Sequence, residues 1–152
     1  MGAFTDHLTK SNQLVQTKNS FYEALLANDF MALESILKSL FASIAYNNFT
    51  GVRLYEYEGY YVSVFYSYLK ALGIEVLGED VTNKGRIDLT IILADVIYVV
   101  EFKVDETDAL SQIKEKGYDE KYLDRGKSLY IVGISFDTKE RNISNLEFEK
   151  IV

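Results

Sequence analysis

Two apolar runs near the middle of the chain carry acid and base among their hydrophobes: Gly85-Arg86-Ile87-Asp88-Leu89-Thr90 and Val99-Val100-Glu101-Phe102-Lys103-Val104. If both are strands joined by a tight turn at Ala94-Asp95, residues equally far from the turn face each other. Asp88 then opposes Glu101, Arg86 opposes Lys103, and period-2 alternation places all four side chains on one face. Like charges directly opposed destabilise a sheet, and a carboxylate taken out of water costs several kcal/mol unless it is compensated. Asp88 and Glu101 held together therefore imply a bound cation, and a divalent metal is the natural candidate.

The other face of the same hairpin supports the register, because Ile87, Leu89, Ile91 and Leu93 would meet Phe102, Val100, Tyr98 and Val96 there without one charge. That face is the expected core. On the charged face, Ile92, Ile97 and Val99 occupy the turn end and the ionic residues gather at the open end. Pattern alone leaves a second reading open, in which these are ordinary solvated charges on a half-exposed strand, and a bulge or a three-residue turn sends Asp88 to the opposite face.

The remaining elements must position this hairpin. Residues 20–45 show apolar residues every three or four positions, from Phe21 to Ile44, which predicts two helices broken near Asn28-Asp29. Residues 1–19 are polar and carry no motif. A helix is expected to open at Glu58 and run to about Leu72, before Gly73, burying Tyr61, Phe65, Tyr68, Leu69 and Leu72. On the residues alone, Glu58 in a first turn is better explained as a capping acid favoured by the helix macrodipole than as part of a site. Ile74 to Val81 reads as a strand, and Thr82 to Gly85 as the turn into the hairpin. Asp105 to Lys116 reads as a helix with Asp105 and Asp108 as a capping pair, and Tyr118 to Arg125 continues it past Gly117. Gly126 stops it before an apolar strand, Ser128 to Phe136, and the tail from Arg141 alternates as an edge strand. Helices, then helix, three strands, helix and strand make an α/β sandwich with a mixed sheet.

Composition narrows the chemistry. The 152 residues contain no cysteine, which removes thiol nucleophiles, thiolate zinc sites and disulfides and agrees with a reducing, cytoplasmic location. His7 is the single histidine, so a Ser-His-Asp hydrolase or a multi-histidine metal site is not expected. The longest apolar run, Leu89 to Val100, is interrupted and too short to cross a bilayer, so no membrane partner is expected. A net charge of −7 argues against a broad basic footprint for nucleic acid. Lys84, Arg86, Lys114, Lys116 and Arg141 are the basic residues that could still raise the local field near the hairpin.

Glu58, Gly85-Arg86-Ile87-Asp88, Glu101-Phe102-Lys103, Gln112 and Tyr118, taken in order, resemble the PD-(D/E)XK nuclease superfamily. The phrases Tyr57-Glu58-Gly59-Tyr60-Tyr61, Gly85 to Leu89, Val100 to Lys103 and Gln112 to Tyr118 are similar to PD-(D/E)XK domains found after ATPase-like regions in bacterial proteins. The resemblance implies a restriction-endonuclease-like α-β-β-β-α-β core with a mixed central sheet flanked by helices. Residues 51–152 would form that domain as one compact unit, and residues 1–50 an N-terminal helical segment packed on it. It implies a Mg²⁺- or Mn²⁺-dependent nuclease acting on DNA, with Asp88, Glu101 and the Phe102 backbone carbonyl as metal ligands and Glu58 completing the acidic cluster. Lys103 would orient the attacking water and stabilise the transition state, and Gln112 would support the metal shell or the phosphate. Two departures stand out: Ile87 replaces the proline usual before the aspartate, and six positions rather than four separate Gln112 from Tyr118. The chain has no Gly-x-x-x-x-Gly-Lys-Ser/Thr phosphate loop, so an ATPase-like domain or protein would be a partner and not part of it. The alternative function is a catalytically inactive module of the same fold that binds nucleic acid or protein.

Overall fold

The computed structural model describes residues 20–44, 54–106 and 108–152, with side-chain detail in the helix starting at Leu54 from Glu58 onward. His7, the polar stretch 1–19 and the tyrosines between 45 and 57 lie outside the side chains so described. Helical residues 20–27 (α1) and Phe30–Ala42 (α2) flank the break read at Asn28-Asp29. Asn28 takes a left-handed backbone (φ 55°), and the Asp29 carboxylate caps α2 by accepting from Ala32 N at 3.1 Å. Then follow α3 (Leu54–Ala71), β1 (Glu75–Thr82), β2 (Gly85–Ile92) and β3 (Val96–Val104). α4 (Ala109–Lys116), a 3₁₀ turn (Tyr118–Tyr122), β4 (Ser128–Asp137) and β5 (Asn142–Lys150) complete the chain order.

The five strands form one mixed sheet in sequential order. β1–β2, β2–β3 and β4–β5 are antiparallel, while β3–β4 is parallel. A parallel pair cannot be joined by a hairpin, and the α4–3₁₀ crossover supplies the length it needs. The long helices and the short one cover opposite faces. Phe21, Leu37, Phe41, Tyr61, Phe65 and Leu69 of α1–α3 share one core with Leu89, Tyr98, Phe102 and Phe136 of the sheet. On the other face, Ile113, Tyr118 and Tyr122 pack on Ile97, Val99, Leu129 and Ile131. This is the restriction-endonuclease-like α/β architecture, with N-terminal helices preceding the core. Among the described residues no helix is long and apolar enough to cross a membrane.

Three local expectations need correction. α3 begins at Leu54 and not at Glu58, so Glu58 sits in the second turn, where the attraction of the helix terminus for an acid has faded. α4 begins at Ala109, and Asp108 makes no side-chain capping bond. Asp105 accepts instead from Thr138 N (3.0 Å) and Thr138 Oγ1 (2.8 Å), tying the end of β3 to the turn after β4. The third correction concerns the hairpin itself and belongs to the site.

Candidate active site

The hairpin register is the one its charges imply. Leu89 pairs with Val100, Thr90 with Val99, Ile91 with Tyr98 and Ile92 with Ile97, around the turn at Ala94-Asp95. The paired ladder stops at Leu89–Val100, one residue short of Asp88 and Glu101, and the two acids take over its hydrogen bonding. Asp88 N donates to Glu101 Oε1 at 3.2 Å, and Phe102 N donates to Asp88 Oδ2 at 2.9 Å. Carboxylates thus stand in for the backbone partners lost where β2 leaves β3.

Strict alternation fails at the same point. Ile87 does not share the core face with Leu89 and Ile91; it lies in the opposite cluster with Ile97, Val99 and Tyr118. β1 changes face beside it. Gly78 pairs with Leu89 and lies against Tyr66 of α3, whereas Asp80 pairs with Ile87 and bonds to the 3₁₀ turn. Between them Glu79 holds a left-handed backbone (φ 49°) and interrupts the ladder without shifting its register. Asp88 is consequently turned toward α3, and the four ionic residues do not line one flat face. Arg86 does not oppose Lys103 in the ladder; it pairs with Val81 of β1, and its guanidinium lies 3.6 Å from Glu79.

The switch puts Asp88 on a cavity of about 710 Å³ between α3 and the β1–β2 ribbon, whose wall also includes Glu58, Ser63, Tyr66 and Glu79. Glu101 lies behind, only 2% exposed on the central strand. Its neighbour in the parallel register is Gly133, where a Cβ would come within 2.6 Å of Leu110 N, so a glycine is what lets α4 start directly over that strand. Burial, then the adjacent Asp88 carboxylate, then Glu58, hold the Glu101 carboxyl far above the usual glutamate range; the Asp88 N–H opposes them without cancelling them. Glu58, half-buried, is raised by burial and by Asp88, with Lys103 pulling the other way and Glu106 adding to the rise. Lys103 is two residues along β3 from Glu101, its side chain 22% exposed and its ammonium 3.9 Å from Glu106.

Asp88, Glu101, the Phe102 main chain, Lys103 and Glu58 therefore meet around one end of the β2–β3 ribbon. Gln112 is half-buried on α4, and among the described residues no hydrogen bond joins its side chain to either acid. Tyr118 is buried in the second cluster, its hydroxyl 2.8 Å from where a Cβ on Gly85 (φ 146°) would stand. Glycine there is required by both the backbone and this contact. The donor set is all oxygen, and a half-buried Asp88 in contact with a buried Glu101 suits a hard divalent cation. Among the described residues, however, no three acidic, histidine or cysteine side chains stand close enough to form a ready-made cage.

One buried acid escaped sequence reasoning. Asp80, 7% exposed, accepts from Thr90 Oγ1 (2.9 Å), Lys121 Nζ (2.5 Å) and the Tyr122 hydroxyl. Burial pushes its pKa up, but these bonds and the lysine charge outweigh it and hold the carboxyl below its ordinary value. Nothing periodic marks it, since two of its three partners, Lys121 and Tyr122, come from a turn some forty residues later. Of the basic residues singled out, Lys84 pairs with Glu120 (3.2 Å) and Lys114 with Glu149 (2.5 Å), so each is matched by an acid.

A mixed α/β sheet whose central ribbon ends in an aspartate, a buried glutamate and a lysine is the frame of one nuclease class. The family model of the PD-(D/E)XK nuclease superfamily matches residues 56–146, and the chain belongs to that superfamily. It is also 38% identical over 149 residues to a protein of Azotobacter chroococcum mcd 1 known as an uncharacterized protein in the vnfD 5' region. That match covers 95% of this chain and 29% of the relative, so the chain spans under a third of the relative's length. No solved structure matches it significantly.

Proposed function

We propose that the chain is a divalent-metal-dependent nuclease that hydrolyses DNA phosphodiester bonds at Asp88, Glu101 and Lys103. The observation carrying this reading is the direct contact of Asp88 with buried Glu101 where the β2–β3 ladder opens, with Lys103 next along the strand. Asp88 and Glu101 would hold Mg²⁺ or Mn²⁺ through carboxylate oxygens, aided by the Phe102 carbonyl, with Glu58 as a direct or water-mediated third acid. When bound, the ion supplies Lewis acidity and positive charge beside the scissile phosphate. Lys103 orients the attacking water and places an ammonium where negative charge accumulates on the phosphoryl oxygens. Gln112 serves the phosphate from α4. The protein would work in the cytoplasm, in keeping with its lack of cysteine. An ATPase-like domain or protein is its proposed companion, supported by the sequence resemblance and by the relative's greater length.

The second reading, a non-catalytic module of the same fold, is favoured by acids paired to Lys84, Arg86 and Lys114 and by the lack, among the described residues, of a three-acid group. The retained Lys103 favours the enzyme. Incubating wild type, Asp88→Ala and Lys103→Ala with single- and double-stranded DNA and Mg²⁺ or Mn²⁺ separates the two. The nuclease reading expects cleavage by wild type alone. Cleavage unchanged in both variants removes the mechanism, and metal binding without cleavage selects the module.

A further inference from the structure

We infer that the cavity beside Asp88 is a subsite for one unpaired nucleotide, its base laid on the Tyr66 ring, and that the substrate is accordingly single-stranded nucleic acid or an unpaired end. The inference rests on the nuclease reading and names the substrate class of that site. At about 710 Å³ the cavity falls in the size range of small-molecule pockets, enough for a nucleotide and its surrounding water. Tyr66 projects from α3 two turns after Glu58, and its ring edge meets β1 at Gly78, where an added Cβ would stand 3.4 Å from Cε2. The missing side chain leaves the ring as part of the cavity wall. Ser63 and Ser67, both exposed, flank it with hydroxyls that can hydrogen-bond a base edge or a sugar.

Charge selects against a duplex. Glu58, Glu79 and Asp88 line the same cavity, so a second phosphate backbone would be brought against acids. Of the nearest cations, Arg86 is matched to Glu79, and Lys103, 3.9 Å from Glu106, is the one assigned to the scissile phosphate. Lys70 differs: its ammonium sits 5.6 Å from the centroid of Tyr66 and, among the described residues, has no acidic partner. A base entering over the ring displaces this ammonium from the π-face and frees it for the neighbouring phosphate. Proteins hold single strands by stacking bases on aromatic rings and meeting the backbone with positive charge, and here Tyr66 and Lys70 supply one of each.

The test is fluorescence anisotropy on the whole chain, without divalent metal, using a short fluorescein-labelled oligothymidine and a labelled hairpin duplex. Wild type should bind the single strand more tightly than the duplex. Tyr66→Ala should weaken single-strand binding roughly tenfold, and Tyr66→Phe should restore it, because the ring and not the hydroxyl does the stacking. Ser63→Trp, at an exposed position on the cavity wall, should block binding without touching the core. Equal or tighter duplex binding, affinity unchanged by Tyr66→Ala, or no single-strand binding by wild type overturns the inference. Because the readout is binding, a chain that binds as expected yet never cleaves would sink the nuclease reading and spare this one. A chain that cleaves duplex preferentially would do the reverse.

Discussion

Two buried acids, Asp80 on β1 and Glu101 on β3, stand on either side of β2, and the protein treats them oppositely. Asp80 receives a lysine, a tyrosine hydroxyl and a threonine hydroxyl, and its carboxylate is stabilised. Glu101 receives one backbone N–H and a second carboxylate, and its charged form is disfavoured. A buried charge with all its partners holds a fold together. One set against a like charge weakens the fold and is kept where something else can bind between them. The Asp80 centre ties β1 and β2 to the 3₁₀ turn on one face of the sheet; the Asp88–Glu101 centre opens toward α3 and the cavity on the other.

The sharpest way to break this contrast is to remove one acid from each centre. Asp88→Ala should cut metal-dependent cleavage by roughly 10²–10³-fold or more, measured as initial rate on labelled DNA, with little change in melting temperature. Asp80→Ala should do the opposite, destabilising by about 2–3 kcal/mol in urea unfolding because Lys121 and Tyr122 lose their shared acceptor, while cleavage by the folded fraction persists. Tyr122→Phe removes one hydrogen bond to that charge and should cost about 1.5 kcal/mol in the same assay. Glu101→Gln should abolish cleavage but leave the metal-free protein as stable as wild type or more stable by about 1 kcal/mol, since a neutral amide sits beside Asp88 without having to take up a proton on folding.

The pH dependence of metal-free stability should separate the centres by sign. Asp80 has a lowered pKa when folded, so its contribution is present above the unfolded value and is lost as acid titrates it through the folded one. Glu101 has a raised one, so its protonated form is favoured by folding, and its contribution is present below the unfolded value and lost as pH rises through the folded one. Thermal melts across pH should therefore show Asp80→Asn flattening the acid limb and Glu101→Gln flattening the loss on the alkaline side. A variant that changes neither limb contradicts the assignment of that centre.

The contrast also explains what the sequence disclosed. The turn at Ala94-Asp95, the pairing of Leu89 with Val100 and the edge strand β5 follow from spacing and turn chemistry, which are local. Ile87 did not disclose its face, because an isoleucine satisfies either core and only the kink at Glu79 and Asp88 decides between them. Asp80 looked like any strand acid, since Lys121 and Tyr122 reach it through tertiary packing. Gly133 gave no hint that α4 would rest on it. The acid pair was legible because its anomaly, two charges opposed inside apolar strands, is written in the strands themselves.

Calorimetric titration of Mn²⁺ into wild type, Glu101→Gln and Asp80→Asn puts the central claim to its most direct test. A binding isotherm in wild type and Asp80→Asn that disappears in Glu101→Gln is the predicted result. An isotherm that survives unchanged in Glu101→Gln would contradict the claim that this acid pair is held for a cation.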